Sequence, residues 1–419
     1  MDNFRLPKNK EKIFIMLSVV EPPQRDGSSS IVPPSFFIIL ISVFVDMLGY
    51  GIMLPLLPFY VQQHALESGA AIAGGLMSMY ATIQLVSGPI LGALSDRYGR
   101  KPILLFCLLG TATSYLLLGL ANSLVMIVIA VFLDGLTGSN LTLAHAYVAD
   151  TTDAGNRARG LNYSQLAFGL GIMTGPILGG TLSGYGLSLP ALVASALAFG
   201  NTVFGYVLLP ESLSPQRRET QPISQVFSWA GQFTSIFRKQ SIRNFLVVLF
   251  LLNLAFAGLQ TNFPLYSNAR FDWSPAQNSY FYLYVGLCGV LVQGVLFARL
   301  QARFGESKLV PAGLICMGLG LAGMAFALDA WMIFPAVAIV ALGTGISIPS
   351  LTALVSLRLP EHEQGRLMGG NQTLLALTNI FGPTLAGLSF DMIAISAPYW
   401  LGSLFAWLAL GIWIMNRRR

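Results

Sequence analysis

The segments VDMLGYG (45–51) and FLDGLTG (132–138) each set one aspartate inside a long apolar run. Of the eighteen acidic residues, only Asp46 and Asp134 lie well inside such runs. A carboxylate in hydrocarbon costs about 2.5–3.5 kcal/mol on insertion scales, so one that persists there either pairs or takes up a proton. Reversible protonation is therefore the chemistry these residues offer, with a purely structural hydrogen bond as the plainer alternative for each. A second cluster, GALSDRYGRK (92–101), concentrates Asp96, Arg97, Arg100 and Lys101 between apolar stretches. Asp96 and Arg100 are four apart and share a face if the helix continues between them. Gly92 allows close helix approach, and Gly99 permits a sharp reversal of the chain.

Such residues need a scaffold built for lipid. Of the 419 residues, 54% are hydrophobic and only 10% charged, and the mean hydropathy is +0.66. That is more apolar surface than a water-soluble domain can bury, and it indicates a polytopic membrane protein. The 24 lysines and arginines fall in clusters at 5–25, 97–101, 157–159, 217–243, 299–308, 358–366 and 417–419. Each of the six intervals between clusters holds two spans of about 20 residues and a short turn. Twelve spans follow: 36–60, 72–95, 102–121, 123–149, 160–183, 187–209, 244–266, 277–299, 308–328, 333–356, 368–390 and 394–416. Among the basic residues, Arg270 alone falls at the opposite end of a hairpin. The positive-inside rule therefore places both termini in the cytoplasm of a cell whose plasma (inner) membrane holds the chain. The net charge of +6 then reflects topology rather than nucleic-acid binding. At 1.5 Å per residue, Asp46 and Asp134 both lie about 15–17 Å into their spans, near the midplane.

Residues 1–33 read as a cytoplasmic tail, 34–209 as a first six-helix bundle, 210–243 as a linker, 244–416 as a second bundle and 417–419 as a basic end. The linker carries Ile223, Val226, Phe227, Ala230, Phe233, Ile236 and Phe237 at helical spacing, which predicts an amphipathic helix on the cytoplasmic leaflet or a plain linker helix. Cys107, Cys288 and Cys316 fall inside spans and offer neither a disulfide framework nor metal-ligand spacing. The bundles repeat each other. At an offset of 207, RGLNYSQLAFGLGIMTGPILGG from Arg159 matches RLMGGNQTLLALTNIFGPTLAG from Arg366, aligning Gln165 with Gln372, Gly175 with Gly382, Pro176 with Pro383 and Gly180 with Gly387. The same offset carries Asp46 onto Asn253, so any coupling carboxylate belongs to the first half. An internal six-helix repeat is a transporter signature, since two like bundles rocking about a midplane site give alternating access.

With these segments in order, GALSDRYGRKP, VDMLGYGIMLPLLP, AYVADTT and GIMTGPILGG, the chain resembles the major facilitator superfamily over residues 36–416. Within it, the twelve-helix drug:H⁺ antiporters of the tetracycline-efflux type are the nearest likeness. The resemblance implies two pseudo-symmetric six-helix bundles in an all-α membrane protein. It also implies a conformational latch in which Asp96 meets Arg100, Asp150 and the amides of Gly369 to Asn371. A carboxylate at a helix N-terminus is worth about 0.3–1 kcal/mol, or up to ~2 when partly buried, enough to bias two conformers. The ridge Gly171, Gly175 and Gly179, with Pro176 and Gly180, would lie where the halves meet and control leakage. Ordinary helix packing gives the same glycine pattern. Asp46 and Asp134 would face each other across the central cavity. The family's fourth helix usually has an arginine four residues before the glycine matching Gly135, and this chain has Val131. The usual acid–base relay therefore does not carry over.

Gln260, Asn262, Tyr282, Tyr284, Gln293, Asn371, Gln372 and Asn379 are candidate cavity residues of the second half. A lining without fixed charge suits a hydrophobic or cationic small molecule and not a sugar phosphate. The expectation is a monomeric proton-coupled exporter driven by the proton gradient, with no cofactor, metal or nucleic-acid partner. A uniporter or importer of a neutral metabolite, or a receptor on a recruited transporter fold, are the competing classes. The sequence has no GxxxxGK[ST], HExxH or GxSxG motif, which argues against an ATP-driven pump or an enzyme.

Overall fold

The computed structural model describes residues 34–65, 68–153, 155–214, 216, 218, 240–358 and 364–417. The expected tail (1–33), most of the linker with its amphipathic helix, and residues 418–419 lie outside the described residues. Ser35–Arg419 forms one compact unit. Among the described residues there is no strand. Twelve helices are long and apolar enough to cross a membrane: α1 (Ser35–His64), α2 (Gly69–Tyr98), α3 (Arg100–Gly119), α4 (Leu124–Thr151), α5 (Arg157–Ser183), α6 (Ser188–Leu208), α7 (Ile242–Phe271), α8 (Pro275–Phe304), α9 (Glu306–Ala325), α10 (Ala330–Ser356), α11 (Gly369–Met392) and α12 (Ala397–Asn416).

Local chemistry explains where these helices start, stop and break. α8 begins on a reciprocal capping box, the Ser274 hydroxyl accepting from the Gln277 amide while the Gln277 side chain accepts from the Ser274 amide. Gly99 stands between α2 and α3 at φ +112°, a conformation costly for any residue with a Cβ. α1 is interrupted after Met53 and resumes at Leu57 with Pro58 in its first turn, as expected for LPLLP, where proline cannot donate to the preceding turn. α4 is also two pieces, Leu124–Thr137 and Asn140–Thr151, separated by Gly138 and Ser139. α8 contains a π-turn at Val292–Leu296.

In the first half α3 packs on α6 and α4, and α2 on α4. In the second, α9 packs on α10 and α12, and α7 on α11 and α12. The halves meet where α2 lies on α11 and α5 on α8. These contacts lie toward the end remote from the Arg97–Lys101 loop, here termed the far end. There a Cβ on Gly74 would approach the Pro383 carbonyl, and one on Gly180 would meet Ser279 and Ala276. Toward the opposite, basic end, a Cβ on Gly92, Gly169 or Gly294 would meet nothing within 4 Å, and Phe297–Phe304 buries no residue. Among the described residues, hydrogen bonds join the halves at the far end and no hydrogen bond or ion pair joins them at the basic end, which is thus the open end.

The apolar cores differ between halves. The second half has one continuous cluster running from Ile242 to Trp413. The first half has two, one built around Leu48, Ile52, Tyr115 and Ile127 and the other around Ile39, Leu104, Leu143 and Tyr147. The boundary between those clusters falls at the level of Asp46, Thr111 and Asn140.

Candidate functional site

Asp46 is 6% exposed and sits in the wall of a water-sized void with Ser42, Leu104, Leu108, Asn140 and Ala144. The Asn140 amide donates to Asp46 Oδ1 at 2.8 Å and to Thr111 Oγ1 at 3.3 Å. The Thr111 side chain also lies near Asp134. A hydrogen-bonded string, Asp46–Asn140–Thr111, thus ties α1, α4 and α3 together inside the first half, with Asp134 close by. The aspartates are close enough to interact electrostatically, and Asn140 and Thr111 are bonded together beside Asp46 at the level of α3 and α4. Asn140 Oδ1 is buried without a partner.

The break in α4 makes this geometry. Asn140 opens the second piece of the helix, and the carbonyls released around the gap are taken up by side chains. Ser87 Oγ donates to the Gly135 carbonyl at 3.0 Å, and the Gln84 amide donates to that of Gly138. A broken helix near mid-membrane is how many carriers place polar groups in a cavity, because neighbouring side chains satisfy the freed backbone. The phenols of Tyr50, Tyr80 and Tyr115 are close enough to interact electrostatically with Asp134. Val131 is buried, and the middle of α4 carries no cation.

At the basic end, Arg100 binds Asp96 at 2.5 Å and Asp150 at 2.9 Å, and its Nη1 also donates to Ser95 Oγ at 2.7 Å. These are contacts within the first half. Asp96 remains 43% exposed, and among the described residues no hydrogen bond takes it to Gly369, Gly370 or Asn371. That arm of the expected latch is not made, and Asp96 is held instead by Arg100 of its own half. Arg97 lies over the Tyr98 ring and is exposed. Gly92 has open space where the sequence predicted close helix approach. Glu211, just past α6, is the residue the sequence did not point to. Its carboxylate accepts from the Arg100 amide at 2.9 Å and the Lys101 amide at 3.2 Å. It thereby places negative charge on the free N-terminus of α3.

The glycine ridge of α5 differs from expectation in what it faces. A Cβ on Gly171 would come 2.7 Å from Met47 Cβ, one on Gly175 2.6 Å from Gly51 Cα, and one on Gly179 2.8 Å from the Ile52 carbonyl. The ridge therefore packs on α1, inside the first half, and Pro176 is buried with it. Gly180 alone of this set meets the other half, at Ser279. The 100° step between residues 179 and 180 turns the second glycine off the α1 face.

Of the candidate cavity residues, Gln260 and Tyr282 come together, the tyrosine hydroxyl donating to the Gln260 carbonyl at 3.2 Å. The Tyr284 hydroxyl donates to the Phe334 carbonyl at 3.1 Å. Asn262 is fully buried with both side-chain polar atoms unpartnered, and Asn371 Oδ1 is likewise unpartnered. Gln293, Gln372 and Asn379 are exposed. The structure does not gather these eight residues into one constellation.

The model of the Major Facilitator Superfamily matches residues 39–383 and, separately, 292–419. A tetracycline resistance protein, class C, from Escherichia coli is 32% identical over 89% of this chain and 93% of its own length. Multidrug resistance protein 2 of Bacillus subtilis (strain 168) is 29% identical over 85% of this chain and 89% of its own. Among solved structures, a mutant of the nucleoside transporter NupG superposes with a TM-score of 0.75 at 12% identity, covering 91% of this chain and 99% of that one. The human organic anion transporter MFSD10 (TETRAN) gives 0.65 at 24% identity, covering 91% and 100%. Twelve membrane-length helices, a duplicated six-helix pattern and halves that meet through α2 with α11 and α5 with α8 agree with that match. The chain belongs to the major facilitator superfamily.

Proposed function

We propose that the chain is a monomeric, proton-driven exporter of hydrophobic or cationic small molecules of the tetracycline kind, working by alternating access without a cofactor. The basic clusters assign the open end to the cytoplasm, so the closed far end would face outward. The observation that carries the proposal is the Asp46–Asn140–Thr111 hydrogen-bond string with Asp134 beside it, two carboxylates close together in the one half whose apolar core is interrupted. Two negative charges this close in a medium of low dielectric repel strongly, and binding one proton relieves the repulsion. A void the size of one water beside Asp46, between clusters of packed side chains, is where such a proton would be exchanged. Tyr50 and Tyr80, half-buried beside Asp134, supply aromatic surface that suits a fused-ring or cationic cargo. The nearness of that surface to the carboxylates supplies a route by which cargo and proton would compete.

The test is tetracycline export by purified protein in proteoliposomes under an imposed pH gradient. Asp46→Asn is expected to abolish uphill export while leaving some downhill exchange, because the neutral isostere removes the proton site without filling the cavity. The competing reading is an uncoupled uniporter, favoured by Val131 at the position where the family usually has arginine. Parent protein that only equilibrates tetracycline, at a rate indifferent to the imposed pH gradient, would select it.

A further inference from the structure

The far end is held shut by a contact that joins the halves across 320 residues of sequence: Asp391 Oδ2, in the last turn of α11, accepts from the backbone amide of Ala71 at 2.7 Å. We infer that Asp391 is a positioning residue of the transport cycle, which holds α11 on the N-terminus of α2 and must release that amide each time the far end opens.

A carboxylate in the last turn of its own helix opposes the macrodipole, and α11 has no basic residue in that turn to offset it. The offset comes instead from α2. Ala71 is the third residue of that helix, among the first four whose amides lack an intrahelical acceptor. Ser68, at the N-cap position with φ 60°, makes no side-chain cap, so Asp391 supplies what the local sequence does not. Two further contacts set the same register. Thr384 donates through its hydroxyl to Ser78 Oγ at 2.7 Å and through its amide at 3.2 Å. Gly74 and Gly387 bring backbone against backbone, since a Cβ on either would fall within 2.3 Å of a carbonyl oxygen of the facing helix.

The other end of this antiparallel pair has the same construction in reverse. Asp96 occupies the last turn of α2, toward the first turn of α11, and among the described residues no hydrogen bond joins it to α11 while Asp391 is engaged. Each helix therefore carries a carboxylate in its last turn, at the end where its antiparallel partner begins. Rocking that closes one end must separate the other, so only one of the two carboxylates can be seated at a time. Arg270, Asp272 and Asp329 also stand at the far end, but among the described residues Asp391 is the charged group whose hydrogen bond joins the two halves there.

This rests on alternating access and not on proton coupling or cargo identity. The experiment measures distances between spin labels at Leu120 and Leu328, exposed far-end positions of the two halves, in full-length protein with Cys107, Cys288 and Cys316 replaced. Asp391→Ala is expected to raise the far-end-open population relative to the closed one by about two- to fivefold, the ratio for one exposed carboxylate at a helix N-terminus. Asp391→Asn, which keeps an acceptor but loses the charge, should shift it less, and Asp391→Glu should restore it. A small loss of thermal stability should accompany these shifts, whereas a merely structural cap would lower stability without moving the distance distribution. Distance distributions identical to the parent in both Asp391→Ala and Asp391→Asn overturn the inference. A shift in protein that exports no tetracycline still supports the gate and counts only against the proposed cargo.

Discussion

Gly175→Ala is the sharpest test of how α5 holds the first half together. The added methyl would lie 2.6 Å from Gly51 Cα, Gly51 C and the Leu48 carbonyl oxygen, all backbone atoms that no rotamer change can move aside. Ordinary contact begins near 3.4 Å, so α1 and α5 must part by about 0.8 Å at their crossing. Overpacking of this kind costs about 1–3 kcal/mol. The strain falls on α1 one turn from Asp46, whose 2.8 Å bond to Asn140 tolerates little displacement. Gly169→Ala is the internal control, because a Cβ there meets nothing within 4 Å on the same helix. The assay is the thermal midpoint of each variant in one detergent, followed by pH-driven tetracycline uptake into inverted vesicles. We expect Gly169→Ala to match the parent in both. Gly175→Ala should lose several degrees and most of its coupled transport. Equal midpoints and equal transport for the two variants would show that the ridge is not a contact surface for α1, and would refute the packing argument.

The remaining predictions concern charge. Asp134→Asn removes the negative group that repels a charged Asp46, so the pH at which export falls to half should move to lower pH, as read from a pH titration of uptake. Asp96→Asn should fold and insert, because Arg100 keeps Asp150 and Ser95, yet slow the turnover of export with little change in the concentration giving half-maximal rate. Glu211→Ala strips the carboxylate from the first amides of α3 and should cost about 1 kcal/mol of stability in thermal unfolding. Gly99→Ala combines φ +112° with a Cβ placed against the Glu211 carboxylate, and should cost at least as much in the same assay.

The sequence by itself determined how many times the chain crosses the membrane and where. Lysine and arginine are excluded from hydrocarbon, so their seven clusters mark one end of every hairpin, and spans such as 160–183 and 333–356 fall within three residues of α5 and α10. It also singled out Asp46 and Asp134, since an acid inside an apolar run is conspicuous in one dimension. Helix rotation was not legible, and with it went every statement about what faces what. Asn140 is 94 residues from Asp46, and nothing in its neighbourhood says that a gap at Gly138–Ser139 turns it onto that carboxylate. A hydropathy window registers α4 as one apolar span whether or not its backbone is continuous. The glycine ridge was visible as a four-residue repeat, but the repeat is the same whether it meets α1 or the other half. Glu211 and Asp391 looked like ordinary acids at helix ends, and their roles depend on amides supplied by helices 111 and 320 residues away. Hydrophobicity is a property of each residue and its near neighbours, so it fixes the spans. Contacts between helices arise from how their surfaces interlock, so only the tertiary structure decides which polar groups end up as partners.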